Sequence, residues 1–310
     1  MKDKKVIFMG TPEFSVPVLE MLIEETNVIM VVTQPDSFVG RHRELRPTPI
    51  KEVALKHNIE VYQPEKIRKE YDYILSKNPD VIITCAYGQI IPEELLETPE
   101  YKAINVHASL LPKLRGGSPL HRCIIDGYKE TGITIMYMAK GMDDGDIIRQ
   151  KSIKIEDDYN VGDIHDKLSV LGRDLLKETL PDIFNRNITR TKQNEDEVTF
   201  AYNIKREEEK IDFNKTANEV YNQIRGMYPF PVAYTTLNDE IIKICESKIG
   251  NSTNKEPGEI INVYNDGIGV ACKDKEIIIT KLKPSGKKEM YAKDYINGKK
   301  KENLIGERLC

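Results

Sequence analysis

The stretch 104-INVHASLLPKLRGGSPLHRCIIDG-127 begins as an apolar strand and ends as a short amphipathic helix. Between the two stand Asn105 and His107, a Ser-Leu-Leu-Pro run and a pair of glycines. Residues i and i+2 of a strand face the same way, so Asn105 and His107 project together. They sit where the apolar run stops, a place where a core strand has no need of an amide and an imidazole. An open α/β sheet puts its ligand crevice beyond the carboxyl ends of its strands. There an amide can donate to an oxyanion, and an imidazole can exchange protons near neutral pH. The stretch therefore predicts an α/β sheet with chemistry at the strand ends.

The flanking sequence agrees with that reading. KKVIFMG stops at Gly10, and Thr11-Pro12-Glu13 supplies a cap, a first-turn proline and a first-turn acid for a helix to about Glu25. NVIMVVTQ reads as a strand, PTPIKEVALKHN as a helix, IEVYQP as a short strand and EKIRKEYDYILSKN as a helix. PDVIITCAYG, AINVHA and TGITIMYM are further strands. Apolar runs without alternation suit strands covered on both faces, so the sheet is predicted to be mainly parallel and Rossmann-like. A long amphipathic helix closes this first domain near residue 186.

Residues 187–206 are polar and without a strong period, and they read as a linker. Residues 207–310 hold one helix, NKTANEVYNQIRGM, and then closely spaced short strands, with a hairpin signal in Asn265-Asp266-Gly267. That pattern predicts a small, OB-like β-barrel. Within 273–301 ten lysines stand against four acids, a local charge of +6. Such a segment is either a solvated edge or an electrostatic track for nucleic acid. The whole chain carries −4, so only a local patch could serve as a track.

At 310 residues, 31% charged and 39% hydrophobic, the chain has the balance of a globular protein with two domains. The apolar run at the start is too short for a signal peptide, and none approaches the roughly 20 residues that span a bilayer. A cytoplasmic protein without membrane attachment is the expectation. The five cysteines are scattered and form no CxxC pair, which points to core thiols rather than disulfides or a zinc cluster.

An imidazole at such a site wants a carboxylate to orient it, and 141-GMDDGDII-148 offers Asp143, Asp144 and Asp146 after the next strand. A loop of this kind can also bind calcium or simply turn, but it lacks the downstream glutamate of an EF-hand. GTPEFS has one glycine and is no dinucleotide cradle. His57, His121 and His165 lie on helical patterns and are given no role.

GTPEFSVPVL, TQPD, GRHRELRPTPIK, AYGQIIP, INVHASLLPKLRGGSPLHRCIIDG, ETGITI, MDDGDII and RGMYPFPVAYT together resemble, in content and order, the methionyl-tRNA formyltransferase family. The resemblance covers nearly the whole chain. It implies transfer of a formyl group from 10-formyltetrahydrofolate to the amino group of methionyl-initiator tRNA, with no metal and no covalent intermediate. Asn105, His107 and Asp143 match the family's catalytic trio, Asp143 because it directly follows the apolar residue of its loop. Ser109, Leu110, Leu111 and Pro112 match the folate-contacting segment, and the turn from Gln89 to Ile91 matches the pterin side. The loop 36-DSFVGRHRELRP-47 matches the one that enters the tRNA acceptor stem, with Arg41, His42 and Arg43 as tRNA contacts. Lys287 and Lys288 belong to the basic C-terminal track, and a monomer is expected. A sugar or purine-precursor N-formyltransferase with the same trio is the alternative, disfavoured by the basic second domain. A non-catalytic tRNA-binding module is a further alternative, disfavoured by the intact trio.

Overall fold

The structure is a computed structural model, and it describes residues 1–39, 44–299 and 303–310. In chain order the elements begin β1 (Lys5–Gly10), α1 (Val16–Glu25), β2 (Asn27–Val32), β3 (Ser37–Val39), β4 (Glu44–Arg46), α2 (Pro49–Lys56) and β5 (Glu60–Tyr62). Next come α3 (Asp72–Ser76), β6 (Val81–Cys85), α4 (Glu93–Glu97), β7 (Ala103–His107), α5 (Pro119–Ile125), β8 (Glu130–Tyr137), β9 (Ile147–Lys154) and α6 (Val161–Phe184). The rest is α7 (Ala217–Met227), β10 (Tyr234–Leu237), β11 (Glu240–Ser252), β12 (Ile260–Val263), β13 (Ile268–Ala271), β14 (Lys275–Pro284), β15 (Met290–Tyr291) and α8 (Ala292–Lys299). The chain forms two compact units, the first of residues 1–119, 131–153 and 165–202, the second of 120–130, 154–164 and 203–310. The segments 120–130 and 154–164, which the sequence groups with the first domain, thus cluster with the second unit.

The first unit is built on a seven-stranded sheet in the order β5-β2-β1-β6-β7-β8-β9. Five strands run parallel from β5 to β7, and β8 turns back antiparallel to β7. This is the mainly parallel, Rossmann-like sheet expected from the unalternated apolar runs. Every residue of β6 is buried, as are Val6–Gly10 of β1, because helices cover both faces. On one face Ile7, Met9 and Ile82 pack with Leu95 and Leu96 of α4. Across the sheet, α6 lies so close to β7 and β8 that a Cβ on Gly172 would meet Val106 Cγ1 at 3.0 Å.

Two segments differ from the sequence expectation, and one strand has no counterpart in it. The helix expected over residues 65–78 is only a 3-10 turn at 67–69 and one turn and a half of α3. Side chains take the backbone donors there: Lys66 N–H donates to Glu70 Oε1 (2.8 Å) and Ile67 N–H to Gln89 Oε1 (2.9 Å). The loop 36–47 holds a two-stranded ladder, β3 with β4, in which Phe38 opposes Leu45. The edge strand β9, IIRQKSIK, is too polar for its apolar residues to announce it.

The second unit is an antiparallel sheet in the order β10-β11-β14-β13-β12, with β15 added on β14. Tyr264 N–H donates to Gly267 O (2.8 Å), which makes the Asn-Asp-Gly hairpin turn. Residues 306–310 then join the two outer strands. Thr236 of β10 and Cys310 exchange both backbone bonds (2.9 and 3.0 Å), while Ile260 of β12 donates to Glu307 O (2.8 Å) and accepts from Gly306 N–H (2.9 Å). α7 starts from a capping box of Thr216 and Glu219 and buries Val220, Ile224 and Met227 in the sheet's core.

Burial pushes the thiols of Cys85, Cys245 and Cys272 up to about 12, as suits core residues, whereas Cys310 is exposed. In the second unit His121 Nδ1 donates to Gly226 O (2.9 Å), and desolvation holds its pKa below the ordinary 6.5. Below pH 6.5 the unfolded chain therefore binds a proton that the folded chain resists. Stability should fall as the pH drops through that value and level off below the folded pKa. Denaturant midpoints at pH 7.5 and pH 5.5 check this, and His121→Gln should shrink the difference between them.

Candidate active site

The last residues of β7 carry Asn105 and His107, and the loop between β8 and β9 carries Asp143. β8 runs antiparallel to β7 and ends with Tyr137 opposite Ile104, and from there the loop turns back to bring Asp143 to the side chains of Asn105 and His107. Asn105 Nδ2 lies 3.5 Å from Asp143 Oδ1, and His107 Nδ1 lies 3.6 Å from Asp143 Oδ2. The three side chains singled out from the sequence thus meet over the carboxyl-terminal half of β7. Asp144 is exposed and Asp146 half-buried, and among the described residues neither has a hydrogen bond or ion pair to Asn105 or His107.

Each member of the trio is oriented by a neighbour. The Thr84 hydroxyl of β6 donates to Asn105 Oδ1 at 2.8 Å, which turns the Asn105 NH₂ toward the carboxylate and leaves it a donor. His107 is 6% exposed, and its Nε2 stands 3.1 Å from Leu114 O. The firm bond to Asp143 comes from the backbone, since Gly116 N–H donates to Oδ2 at 2.9 Å, shorter than either side-chain contact. Gly116 must be glycine: its φ is +119°, and a Cβ would meet Ala201 O at 2.9 Å. In the Asp143 loop Gly145 is equally constrained, with Tyr137 O 1.9 Å from where its Cβ would be.

The polar segment read as a linker is part of this site. Around a parallel bridge to Phe200, Arg115 N–H donates to Thr199 O (2.9 Å) and Arg115 O accepts from Ala201 N–H (2.7 Å), while Leu114 N–H donates to Thr199 Oγ1 (2.9 Å). Gln193 Nε2 donates to the carbonyls of Asp143 (2.7 Å) and Gly145 (2.8 Å). Arg115, 5% exposed, donates from Nε to Gln193 Oε1 (3.0 Å) and pairs with both oxygens of Glu195. Residues 190–202 have no periodic signal, so pattern reading passes over Gln193 and Thr199. Arg115 lies inside the opening stretch, but only its unusual burial marks it.

The other residues named from the sequence have varied settings. Ser109 is fully buried and commits its hydroxyl to Lys113 O (2.7 Å). Leu111 is buried, its N–H bonded to Thr134 Oγ1 and its carbonyl to Gln150 Nε2, while Leu110 and Pro112 are half-buried. Gln89 ties its side chain to Ile67 N–H and Gln34 Oε1, and Ile91 lies in the core cluster. Between them Ile90 is 66% exposed. Asp36, at the root of the 36–47 loop, accepts from Gln63 and pairs with Lys51 (2.6 Å), which hold its carboxyl below the ordinary range. Arg41, His42 and Arg43 lie outside the described residues. Lys287 and Lys288 are exposed in the turn between β14 and β15 of the second unit.

The arrangement provides an oriented amide donor, an imidazole and a carboxylate at strand ends, the equipment for a carbonyl reaction that builds an oxyanion. The formyl transferase family model matches residues 4–180, and that of the formyl transferase C-terminal domain matches 203–300. A methionyl-tRNA formyltransferase of Staphylococcus aureus strain MW2 is 53% identical over 98% of this chain and 99% of its own. This chain belongs to the methionyl-tRNA formyltransferase family. Members of this family are enzymes that transfer a formyl group. Among solved structures, the sugar 3N-formyltransferase WlaRD superposes with a TM-score of 0.65 at 20% identity, covering 92% of this chain and 99% of its own. An N-formyltransferase of Helicobacter canadensis does so with a TM-score of 0.65 at 21% identity, covering 89% and 98%. At such identities these two speak for the fold alone. Among the described residues, no helix is long and apolar enough to cross a membrane.

Proposed function

We propose that this chain transfers the formyl group of 10-formyltetrahydrofolate to the amino group of methionyl-initiator tRNA. The observation that carries the chemistry is the meeting of Asn105, His107 and Asp143 within 3.6 Å at the strand ends. The 53% identity through both units to a methionyl-tRNA formyltransferase supports the acceptor.

In the reaction the amine nitrogen attacks the formyl carbon, and the carbonyl oxygen becomes an oxyanion. The nitrogen then loses a proton, the bond from the formyl carbon to the folate nitrogen breaks, and that nitrogen receives a proton. Asn105 Nδ2 is the donor for the oxyanion, its amide oriented by Thr84; one such donor is worth about 3–4 kcal/mol in other acyl transfers. His107 holds two resting partners, Leu114 O and the carboxylate, and enters by exchanging one of them for substrate. Asp143 is positioned to balance positive charge on the ring or on the attacking amine. The folate brings the activated formyl group. What this unit offers the folate is the 109–112 segment, the exposed Ile90 as an apolar wall, and backbone groups from Gln89 to Ile91. The Gln89 side chain is already committed, so the backbone is the part left to recognise a pterin.

In the same reading, residues 1–186 carry the catalytic trio, 187–206 connect and also brace the site through Gln193 and Thr199, and 207–310 bind tRNA along the lysine-rich track. Arg41, His42 and Arg43 meet the acceptor stem in this proposal. If Lys287 and Lys288 touch phosphates, replacing both with alanine should flatten the log–log salt dependence of tRNA affinity, by about one unit for each phosphate no longer neutralised. An unchanged slope removes them from the interface. The proposal as a whole is tested by formylation of methionyl-tRNA with 10-formyltetrahydrofolate, with amino sugars and glycinamide ribonucleotide as competing acceptors. Transfer to a small amine in preference to tRNA would overturn it.

A further inference from the structure

We propose that Gln193 is a positioning residue for the reaction, holding the Asp143 loop in the form that presents its carboxylate. This rests on the reading that Asp143 takes part in the chemistry. Asp143 sits at φ +49°, in the left-handed region that a residue with a Cβ occupies only at a cost. A conformation of that kind persists only where its surroundings over-determine it. Gln193 does so from outside the loop. Its single NH₂ donates to the carbonyls of Asp143 and Gly145, at 2.7 and 2.8 Å, bracketing Asp144.

The amide itself cannot turn. Its oxygen accepts from Arg115 Nε at 3.0 Å, and a flip would set that oxygen against two carbonyl oxygens and two donors against a guanidinium. Arg115 is buried, and its far end is fixed on Glu195. The next residue, Gly116, donates its N–H to Asp143 Oδ2. The Arg115–Gly116 dipeptide and the 193–195 segment therefore grip the loop together, one by the carboxylate and one by the backbone on either side of Asp144. A purely structural brace for the polar segment would have no reason to commit both amide hydrogens to the loop that carries the carboxylate.

The test is steady-state kinetics of Gln193→Met, which keeps the length of the side chain and removes the donors, and of Gln193→Glu, which keeps the acceptor for Arg115. Both variants are made in the wild-type and the Asp143→Asn backgrounds. Misplacing a reacting group by about 1 Å can cost about a hundredfold. The expected result is a ten- to hundredfold fall in kcat in the wild-type background, roughly, with KM for tRNA and for folate changed less than about threefold. In the Asp143→Asn background the same variants should cost less than about twofold, because the carboxylate they position is gone. Equal losses in both backgrounds, or a loss carried by KM, would make Gln193 a brace and overturn the inference. Full activity of the Gln193 variants beside an inactive Asp143→Asn would overturn it while leaving the role of Asp143 standing. Full activity of Asp143→Asn alone would remove that role, and the inference with it.

Discussion

Alanine at His107 should lower the turnover of formyl transfer by about 10²–10⁴-fold, the range over which a positioned acid–base group acts. Asn105→Ala should cost about 10²–10³-fold, the effect of removing one oxyanion donor. Both residues lie at the end of β7, so the strand itself should survive; His107, however, is almost fully buried and leaves Leu114 O without its partner. Loss of rate must therefore be read beside the thermal midpoint, and His107→Gln, which refills the space, separates chemistry from packing. A folded His107→Ala enzyme with undiminished turnover would remove the imidazole from the mechanism.

The second large effect belongs to one of three neighbouring aspartates. Asp143→Asn keeps the volume and can still accept from Gly116 N–H, but it removes the charge 3.6 Å from the imidazole. A loss of about a hundredfold or more is expected. Asp144 is exposed and Asp146 contributes a backbone carbonyl to Tyr137 N–H (3.0 Å), so Asp144→Asn and Asp146→Asn should stay within about threefold of the parent. Single-turnover rates for the three variants decide the matter. If the large loss falls on Asp144, the assignment of the carboxylate is wrong by one residue.

Several parts of this architecture can be read from the residues because a strong local constraint points one way. Val6–Met9 and Val81–Cys85 are apolar on both sides, and only a sheet covered on two faces accommodates that. Asn105 and His107 stand out because polarity on one face of such a strand needs a reason. Other parts leave no such mark. β9 is a polar edge strand whose stability comes from its neighbour rather than from its own pattern. The expected helix at 65–78 is overridden by Gln89, a residue far along the chain that claims a backbone donor. The strap from Gln193 to Ala201 consists of polar side chains and single backbone bridges, and neither produces a period. The carboxylate's place is legible only through family resemblance, whereas its support from Gly116 and Thr84's hold on Asn105 are matters of three-dimensional approach.

The pairing of residues 306–310 with both β10 and β12 bears on how the second unit is made. An antiparallel sheet with two bare outer strands is a template for another chain, and natural sheets cover or charge such edges. Here the cover is a segment synthesised after the last of the described strands, β15, and Thr236 meets Cys310 across a separation of 74 positions. A nascent chain that has emerged only as far as α8 leaves β12 and the Thr236 part of β10 uncovered, since Ile211 N–H already bonds Tyr234 O (2.8 Å). The sheet must wait, unprotected, for its last five described residues, and non-local closures of this kind are slow. Stalled or clipped chains lacking 306–310 are thus the species most prone to pair edge to edge, while a chain that includes these residues carries its own seal.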